Sequence, residues 1–521
     1  MISDPISRLF QISKNNPKQI AISENNRNIN YRDFFKLCYL VSQNISTKIP
    51  ETTPKILVFA SSTIEAYSAI FGTLMSGGFY SPVNFASPDI TVLNILKSYS
   101  PHLILTSTDL SARIKELLIK VGDQITVLEI DSLLEKVVTS EIIINEDNID
   151  FEIDYPKYEN NTRKLAYVIF TSGSTGIPKG VMISRYALSH YIDWAISVFK
   201  PEIEDRWAQY ANIAFDLSVL DIFGSICSGA TLFPVNSSVD KMLFGKFLYR
   251  NKITIVNIVP SVTDLLINSK QLNKKNIKKV RLVNFCGETL LQYQIESFFN
   301  VNPKLIIHNT YGPTECTVSC TLLRLNKNNY KGYCLDSVAL GEAIEGMEIK
   351  LINAKETVGE IILSGNQVAE GYWQDQTANQ SFAIKRSNGK EIRTFRTGDW
   401  ARPINNNLYF SGRKDDQIKI KGYRIELGSI NAQIRELVNL NVSTLFHNKM
   451  LHCFFESNES KKIDLAAIRK KLSIELINYE MPNKLYSINK IPKNNNNKID
   501  YISLKYLIEK YSINQESLIY I

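Results

Sequence analysis

Up to about Asn160 the apolar positions alternate between helical and strand-like spacing. Tyr31-Arg32-Asp33-Phe34-Phe35 opens an amphipathic helix, and Lys55 to Ala60 is an apolar strand. Glu65 to Met75 is a helix ending in Gly77-Gly78, residues that supply the left-handed turn a helix end commonly uses. Leu103-Ile104-Leu105 and Ile125 to Leu128 continue the alternation, and Asp147 to Arg163 is a polar, broken loop. Tyr167 to Phe170 and Val181 to Ile183 read as two short strands. A helix through Tyr191, Trp194 and Phe199 follows, then strand-like runs at Thr254 to Ile258, Arg281 to Phe285 and Lys304 to Ile307. Past Gly341 the apolar runs shorten and turns multiply, with strands at Glu360 to Leu363 and Leu408 to Phe410. Near Asp415 the stretch IKIKGYRIELGSI reads strand, turn and helix start, and Pro492 to Lys498 is a polar tract with little to pack. The pattern predicts an α/β fold with largely parallel sheets. A large N-terminal domain of α/β sheets, residues 1–414, carries a β-rich subdomain, and a small α+β C-terminal domain occupies residues 415–521.

Composition narrows the class. The chain has 521 residues, 44% hydrophobic and 21% charged, enough for more than one packed domain and far from disorder. Its net charge of +8 is dispersed, with no dense basic run interleaved with aromatics, so nucleic acid is not the expected partner while an acidic protein is compatible. Seven scattered cysteines with no CxxC pair suggest neither a disulfide framework nor a zinc site. The first residues lack the basic head and apolar core of a leader, and no run of about 18 apolar residues occurs. A cytoplasmic protein with no membrane partner is expected.

The join between the strands at Tyr167 and Val181 carries the first chemistry. It reads TSGSTGIPKG: Gly173, Gly176 and Gly180 permit close backbone approach, Thr171, Ser172, Ser174 and Thr175 bring hydroxyls, and Lys179 brings charge. Those residue types suit an anion, and polyphosphate is the natural candidate. The run is not a Walker loop, because GxxxxGK[ST] cannot be read through it and no helix pattern follows at once. A generic polar hairpin is the plainer alternative, and the motifs downstream decide between the two.

Four such motifs follow in order: Tyr311-Gly312-Pro313-Thr314-Glu315, Thr397-Gly398-Asp399, Gly412-Arg413-Lys414-Asp415, and Lys498 between Ile491-Pro492 and Ile499-Asp500. With SGSTGIPKG they resemble the signature set of the adenylate-forming superfamily: acyl-CoA ligases, luciferases and the adenylation domains of nonribosomal peptide synthetases. The resemblance spans roughly Tyr31 to Lys505. It implies that residues 171–176 and Lys179 hold the phosphates of ATP, that Thr314 contacts phosphate and that Glu315 holds Mg²⁺. It further implies that Asp399 bonds the ribose hydroxyls beside Arg413, and that Gly287, Glu288, Thr289, Asn309 and Tyr311 surround the adenine. Asp415 matches the hinge about which a mobile C-terminal lid turns, Gly422 a residue near a pantetheine arm, and Lys498 the catalytic lysine. A carboxylate with phosphate oxygens is a usual Mg²⁺ environment. Lys498 alone would read as a solvated lysine in an Asn-rich loop, and the glycine usual before the family's lysine is replaced by Asn497. The implied reaction is attack of a substrate carboxylate on the α-phosphorus of ATP, with charge on the phosphoryl oxygens stabilised by the loop, Mg²⁺ and Lys498.

Phe215-Asp216-Leu217-Ser218 resembles the FDxS motif of the amino-acid-activating branch, in which the aspartate pairs with an α-ammonium; a helix N-cap is the plainer role for Asp216. Position by position, the resemblance lines the substrate pocket with Phe215, Leu217, Leu220, Asn257, Asn284, Cys286, Thr310, Val318 and Ser319. Two amides, a thiol and hydroxyls favour a small or polar amino acid. FDLSVLDIF, FCGE and NTYGPTE resemble D-alanine:D-alanyl carrier protein ligases especially closely. No carrier-domain serine motif follows Lys498, so a free-standing ligase that charges the phosphopantetheine of a separate carrier protein is expected. An acyl- or aryl-CoA ligase is the rival within the superfamily, opposed by Asp216. A non-catalytic ATP-binding module is the rival outside it, opposed by intact Glu315, Asp399, Arg413 and Lys498.

Overall fold

The computed structural model describes residues 4–25, 27–50, 53–139, 164–172, 178–355, 358–387, 390–413, 417–420, 422–457, 463–477, 479–493, 499–511 and 518–520. They form two compact units. One comprises Met1–Phe85, Leu96–Phe170 and Gly180–Lys414, the other Ala86–Ile95, Thr171–Lys179 and Asp415–Ile521.

The first unit is built on two large sheets. A seven-stranded sheet runs in the order Gly371–Tyr372, Lys179–Ser184, Leu165–Thr171, Phe79–Asn84, Lys55–Ala60, Leu103–Thr106, Thr126–Glu129, and the pairings from Leu165–Thr171 onward are parallel. A nine-stranded sheet runs Glu342–Ala343, Thr321–Leu325, Ile306–Tyr311, Leu282–Phe285, Ile255–Ile258, Arg206–Gln209, Thr231–Pro234, Ile20–Glu24, Arg27–Asn30, parallel in its middle and antiparallel at both edges. Short, continuously apolar strands are what parallel sheets covered on both faces require. The helices on them are locally encoded: the side chains of Asn30, Thr63 and Ser184 accept from the first-turn N–H groups of Tyr31–Lys48, Ile64–Met75 and Arg185–Phe199. Buried Arg185 donates to the carbonyls of Leu74 and Gly78 at 2.5 and 2.9 Å, closing the C-terminal end of Ile64–Met75.

Two hydrophobic clusters organise this unit. The larger joins Phe34, Phe71, Tyr80, Tyr167, Tyr191, Trp207 and Phe223 across helices and strands of both sheets. The second holds Ala208, Val256, Val283 and Ile307 with Phe244, Phe247, Phe298 and Phe299. Residues 207 and 208 thus belong to different clusters, as alternation along a strand dictates. A five-stranded antiparallel sheet follows, in which Lys390–Ile404 pairs with Val358–Gly365, Phe382–Ser387 and Asn407–Arg413. This is the β-rich segment expected past Gly341.

In the second unit the strands Gln417–Ile420 and Tyr423–Glu426 form a hairpin leading into the helix Leu427–Val438. A mixed sheet of Val442–His447, Met450–Glu456, Lys484–Ile488 and Leu518–Tyr520 accompanies the helices Leu465–Glu475 and Tyr501–Tyr511. Among the described residues no helix is long and apolar enough to cross a membrane.

Candidate active site

In the nine-stranded sheet the chain passes from Arg206–Gln209 to Thr231–Pro234 on one side, then returns to Ile255–Ile258 on the other. Strand order reverses there, and the crevice outside the carboxyl ends of strands at such a point is where open α/β sheets bind ligands. Register places Gln209 opposite Asn257, Asn257 opposite Asn284, and Asn284 opposite His308. Four polar side chains therefore cross four parallel strands in one row, all buried.

Buried amides must find partners, and these find one another. Asn284 Nδ2 donates to Asn257 Oδ1 at 2.8 Å, Asn257 Nδ2 to the Leu217 carbonyl at 3.2 Å, and the Thr310 hydroxyl to the Phe285 carbonyl at 3.0 Å. Gln209 accepts from the Tyr67 hydroxyl at 2.5 Å and donates to Ala211 O at 2.9 Å. The Cys286 thiol lies 3.6 Å from the Ser319 hydroxyl and 3.7 Å from the Val318 carbonyl. His308 differs: neither ring nitrogen has a hydrogen-bond partner among the described residues, it packs edge-on against Phe199, and burial drives its pKa down to about 3. It is a neutral packing residue, one strand beyond the amides.

Asp216 occupies the N-cap position of the helix Leu217–Ile226 and yet does not cap it; its carboxylate accepts from the Thr314 hydroxyl at 2.7 Å. The helix-cap role is thereby set aside, and the FDxS and YGPTE motifs meet through that bond. The next residue, Glu315, is fully buried and accepts from the Tyr372 hydroxyl at 2.5 Å, while the Glu315 carbonyl accepts from the Ala369 N–H at 2.9 Å. Just beyond, Thr317 and Val318 hold φ of 53° and 70°, and the Ser319 N–H donates to the Thr317 carbonyl at 2.8 Å. This is a γ-turn centred on a β-branched residue, a conformation costing on the order of 1–3 kcal/mol. Its carbonyl packs on Gly312, where an added Cβ would stand 2.7 Å from Val318 O and from Ser319 Cα. Only glycine admits that approach, which explains the second letter of YGPTE.

Asp399 and Arg413 are register partners in the antiparallel sheet and form a buried ion pair. The second oxygen of Asp399 accepts from the Tyr311 hydroxyl at 2.7 Å. Burial, and then the Asp399 charge, raise the Tyr311 pKa far above its usual range, so the phenol stays a donor. YGPTE, TGD and GRxD thus converge on one carboxylate.

Several expected residues are placed differently from the rest. The Glu288 carboxylate accepts from the Ser261 N–H at 2.8 Å at the start of the helix Pro260–Asn268, and Asn309 Nδ2 donates to Ala339 O at 2.8 Å. Gly287 takes φ +95°, and Thr289 is exposed. Leu217 and Leu220 are buried; Phe215 and Asp216 are half-buried. In the second unit the Ser172 hydroxyl donates to Arg424 O at 2.6 Å, the Thr171 hydroxyl lies 3.4 Å from Lys179 O, and Gly422 has φ +81°. Gly173, Ser174, Thr175, Gly176, Asp415 and Lys498 lie outside the described residues. Tyr372, which meets Glu315, and Gln209, which stands in the polar row beside Asn257, were not expected from sequence: no motif announces them, and each reaches its partner only through the fold.

A family model described as AMP-binding enzyme matches residues 9–373. D-alanine--D-alanyl carrier protein ligases of Lactococcus lactis subsp. lactis (strain IL1403) and Staphylococcus aureus (strain Newman) are each 27% identical over 515 residues, spanning 95% and 96% of this chain and 97% and 98% of theirs. Among solved structures, the Vibrio cholerae adenylation domain AlmE in complex with glycyl-adenosine-5'-phosphate superposes with a TM-score of 0.82 at 25% identity, covering 97% of this chain and 98% of that one. The o-succinylbenzoate CoA synthetase MenE of Bacillus subtilis gives 0.78 at 18% identity over 96% and 98%, which bears on fold alone. The motifs, the bonds that join Asp216 to Thr314 and Asp399 to Tyr311 and Arg413, and a family match over well over half the sequence agree: this chain belongs to the AMP-binding enzyme family of adenylate-forming enzymes.

Proposed function

We propose that the chain is an ATP-dependent ligase that activates a small amino acid as its aminoacyl-AMP and transfers it to the pantetheine thiol of a separate carrier protein. The observation that carries this reading is the Asp216 carboxylate, turned away from its own helix and bonded to Thr314 beside Glu315. A carboxylate there suits the α-ammonium of an amino acid and serves no purpose for a fatty or aryl acid. The amides Asn257 and Asn284 are occupied with each other and with Leu217 O. A polar substrate side chain would have to break those bonds, so of the two classes expected, small and polar, small is favoured. The names and functions of the relatives, carrier protein ligases and a glycyl-adenylate complex, support the same class.

In the first step the amino acid carboxylate attacks the α-phosphorus of ATP and the bond to pyrophosphate breaks. Negative charge grows on the phosphoryl oxygens, and a site stabilises such charge by preorganised donors. The loop of residues 171–176 with Lys179 supplies the proposed donors, Thr314 contacts phosphate beside its bond to Asp216, Asp399 and Arg413 hold the ribose, and Lys498 spans carboxylate and phosphate. Glu315 fits Mg²⁺ in its chemistry: it is a buried carboxylate one residue from Thr314, and this ion takes one or two carboxylates with substrate phosphates in place of a protein cage. When bound, the ion would neutralise phosphate charge. In the second step the thiol sulfur attacks the acyl carbon and AMP leaves. Residues 415–521 are the proposed lid, hinged at Asp415 with Gly422 toward the pantetheine, and free thiols suit a reducing cytoplasm.

Pyrophosphate exchange with glycine, D- and L-alanine, asparagine, phenylalanine, and fatty and aryl acids tests this. Stimulation by the small amino acids is expected. Stimulation by fatty or aryl acids alone would make the chain a CoA ligase, and none by any acid would leave an ATP-holding module.

A further inference from the structure

The turn after YGPTE holds a conformation that its own residues disfavour. Thr317 and Val318 are successive β-branched residues, and both stand in the left-handed region, at φ of 53° and 70°. Such backbone persists only where its surroundings over-determine it, and it gathers at functional sites. Thr317 is fully buried, and each of its polar groups is engaged. Its N–H donates to the Thr314 carbonyl at 3.2 Å, its carbonyl accepts from the Ser319 N–H at 2.8 Å, and its hydroxyl donates to the Gln367 carbonyl at 2.8 Å. The first two bonds are local. The third reaches a residue 50 positions along the chain.

We infer that Thr317 is a positioning residue: by bonding the Gln367 carbonyl, its hydroxyl holds the turn at Val318 and Ser319 against Cys286, and the wall fixed in this way sets the size of amino acid that the crevice admits. The anchor is itself pinned. The Gln367 amide lies 3.1 Å from His190 Nδ1, the Gln367 N–H lies 3.3 Å from the Met347 sulfur, and the Ala369 N–H two residues on donates to the Glu315 carbonyl at 2.9 Å. On its other side the turn meets Cys286, which follows the strand Leu282–Phe285 at its carboxyl end, where the crevice opens. The thiol is 3.7 Å from the Val318 carbonyl and 3.6 Å from the Ser319 hydroxyl. Without the Thr317 hydroxyl, the Gln367 carbonyl loses this donor and the turn loses its long-range restraint. Relaxation of residues 317 and 318 to negative φ then carries the Val318 carbonyl off the thiol, and the wall recedes.

The effect on selectivity rests on the amino-acid-activating reading above, so one measurement is independent of it. Full-length wild type, Thr317→Val, Thr317→Ala and Thr317→Ser are labelled natively with N-ethylmaleimide, and the rate at each cysteine is read by mass spectrometry. Labelling of a buried thiol follows local opening, so Thr317→Val should speed Cys286 by about 10-fold, the scale of one lost buried hydrogen bond. Buried Cys38 and Cys453, which lie on other elements, should label as in wild type. Thr317→Ser keeps the hydroxyl and should stay within roughly threefold of wild type. In pyrophosphate exchange Thr317→Val should raise the KM of the small amino acid about 10-fold, hold the ATP KM within about threefold, and admit larger aliphatic amino acids that the wild type excludes. Unchanged Cys286 labelling in Thr317→Val, Thr317→Ser as altered as Thr317→Val, or an ATP KM rising in parallel would each overturn the assignment. If the wild type itself supports no exchange, the activity reading fails, and the labelling still decides whether Thr317 holds the turn. Thr317→Ala replaces Thr317→Val if the latter does not fold, with the same expectations. If neither folds, Thr317→Ser decides: Cys286 labelling unlike wild type refutes the role.

Discussion

Tyr372→Phe removes a single oxygen from the wall of the site. The ring stays packed edge-on against Phe382 at 5.4 Å, and the change removes the 2.5 Å bond to Glu315. Glu315 has no solvent exposure, so no water replaces the lost donor freely. A hydrogen bond to a charged, buried group is worth about 1.5–3 kcal/mol. Part of that should appear as lowered stability, measured by urea unfolding. The rest should appear where Glu315 works. On the proposed placement of Mg²⁺ at Glu315, the carboxylate loses a partner that orients it, and removing such an outer partner typically costs about 10–100-fold in metal affinity or activity. Titrating Mg²⁺ in the pyrophosphate-exchange assay should therefore show the half-maximal concentration rising at least about 10-fold, with the amino acid KM little changed. An unaltered Mg²⁺ dependence, alongside normal folding, would refute both the pairing and the placement of the cation at Glu315.

Three further outcomes follow from other parts of the molecule. Gly312→Ala drives a Cβ to 2.7 Å from backbone atoms of the γ-turn, so stability should fall by about 1–3 kcal/mol in denaturant titration, and no loss would mean the turn yields freely. His308 stays neutral when folded down to about pH 3, whereas the unfolded side chain protonates near 6.5, so its contribution is complete above 6.5 and drains away as the pH falls. Between pH 7 and 5 the wild type should lose roughly 2 kcal/mol more than His308→Leu, and equal losses would contradict the buried neutral assignment. Lys498→Ala should slow adenylation by roughly 10²–10³-fold in single-turnover measurements, and an unaltered rate would remove Lys498 from the site.

Much of this fold is legible without coordinates. The period of apolar residues marks the strands at Lys55, Tyr167, Ile255 and Leu282 and the helices capped by Asn30 and Ser184, because a covered strand and an amphipathic helix each need a distinctive spacing. The glycine in YGPTE and the acids of TGD and FDxS are likewise visible, since a close approach or a carboxylate leaves few residue choices. The bond from the Ser261 N–H to the Glu288 carboxylate at the start of a helix is not legible from FCGE, because it joins residues 27 positions apart. In the sequence Asp216 reads as either a helix cap or a ligand; the structure shows no cap bond and a bond from the Thr314 hydroxyl at 2.7 Å.

By itself, then, the chain determines its elements, its motifs and the family they spell, because these depend on neighbours a few residues apart. Tertiary structure alone decided that Gln209, Asn257, Asn284 and His308 share one row, that Tyr372 meets Glu315, and that the Trp207 indole reaches Asp221. The register of parallel strands is set by how their crossover helices pack, and a period of two tells which face a residue takes without telling which residue lies opposite. Partners far apart in sequence are chosen at that step, and the character of the pocket is chosen with them.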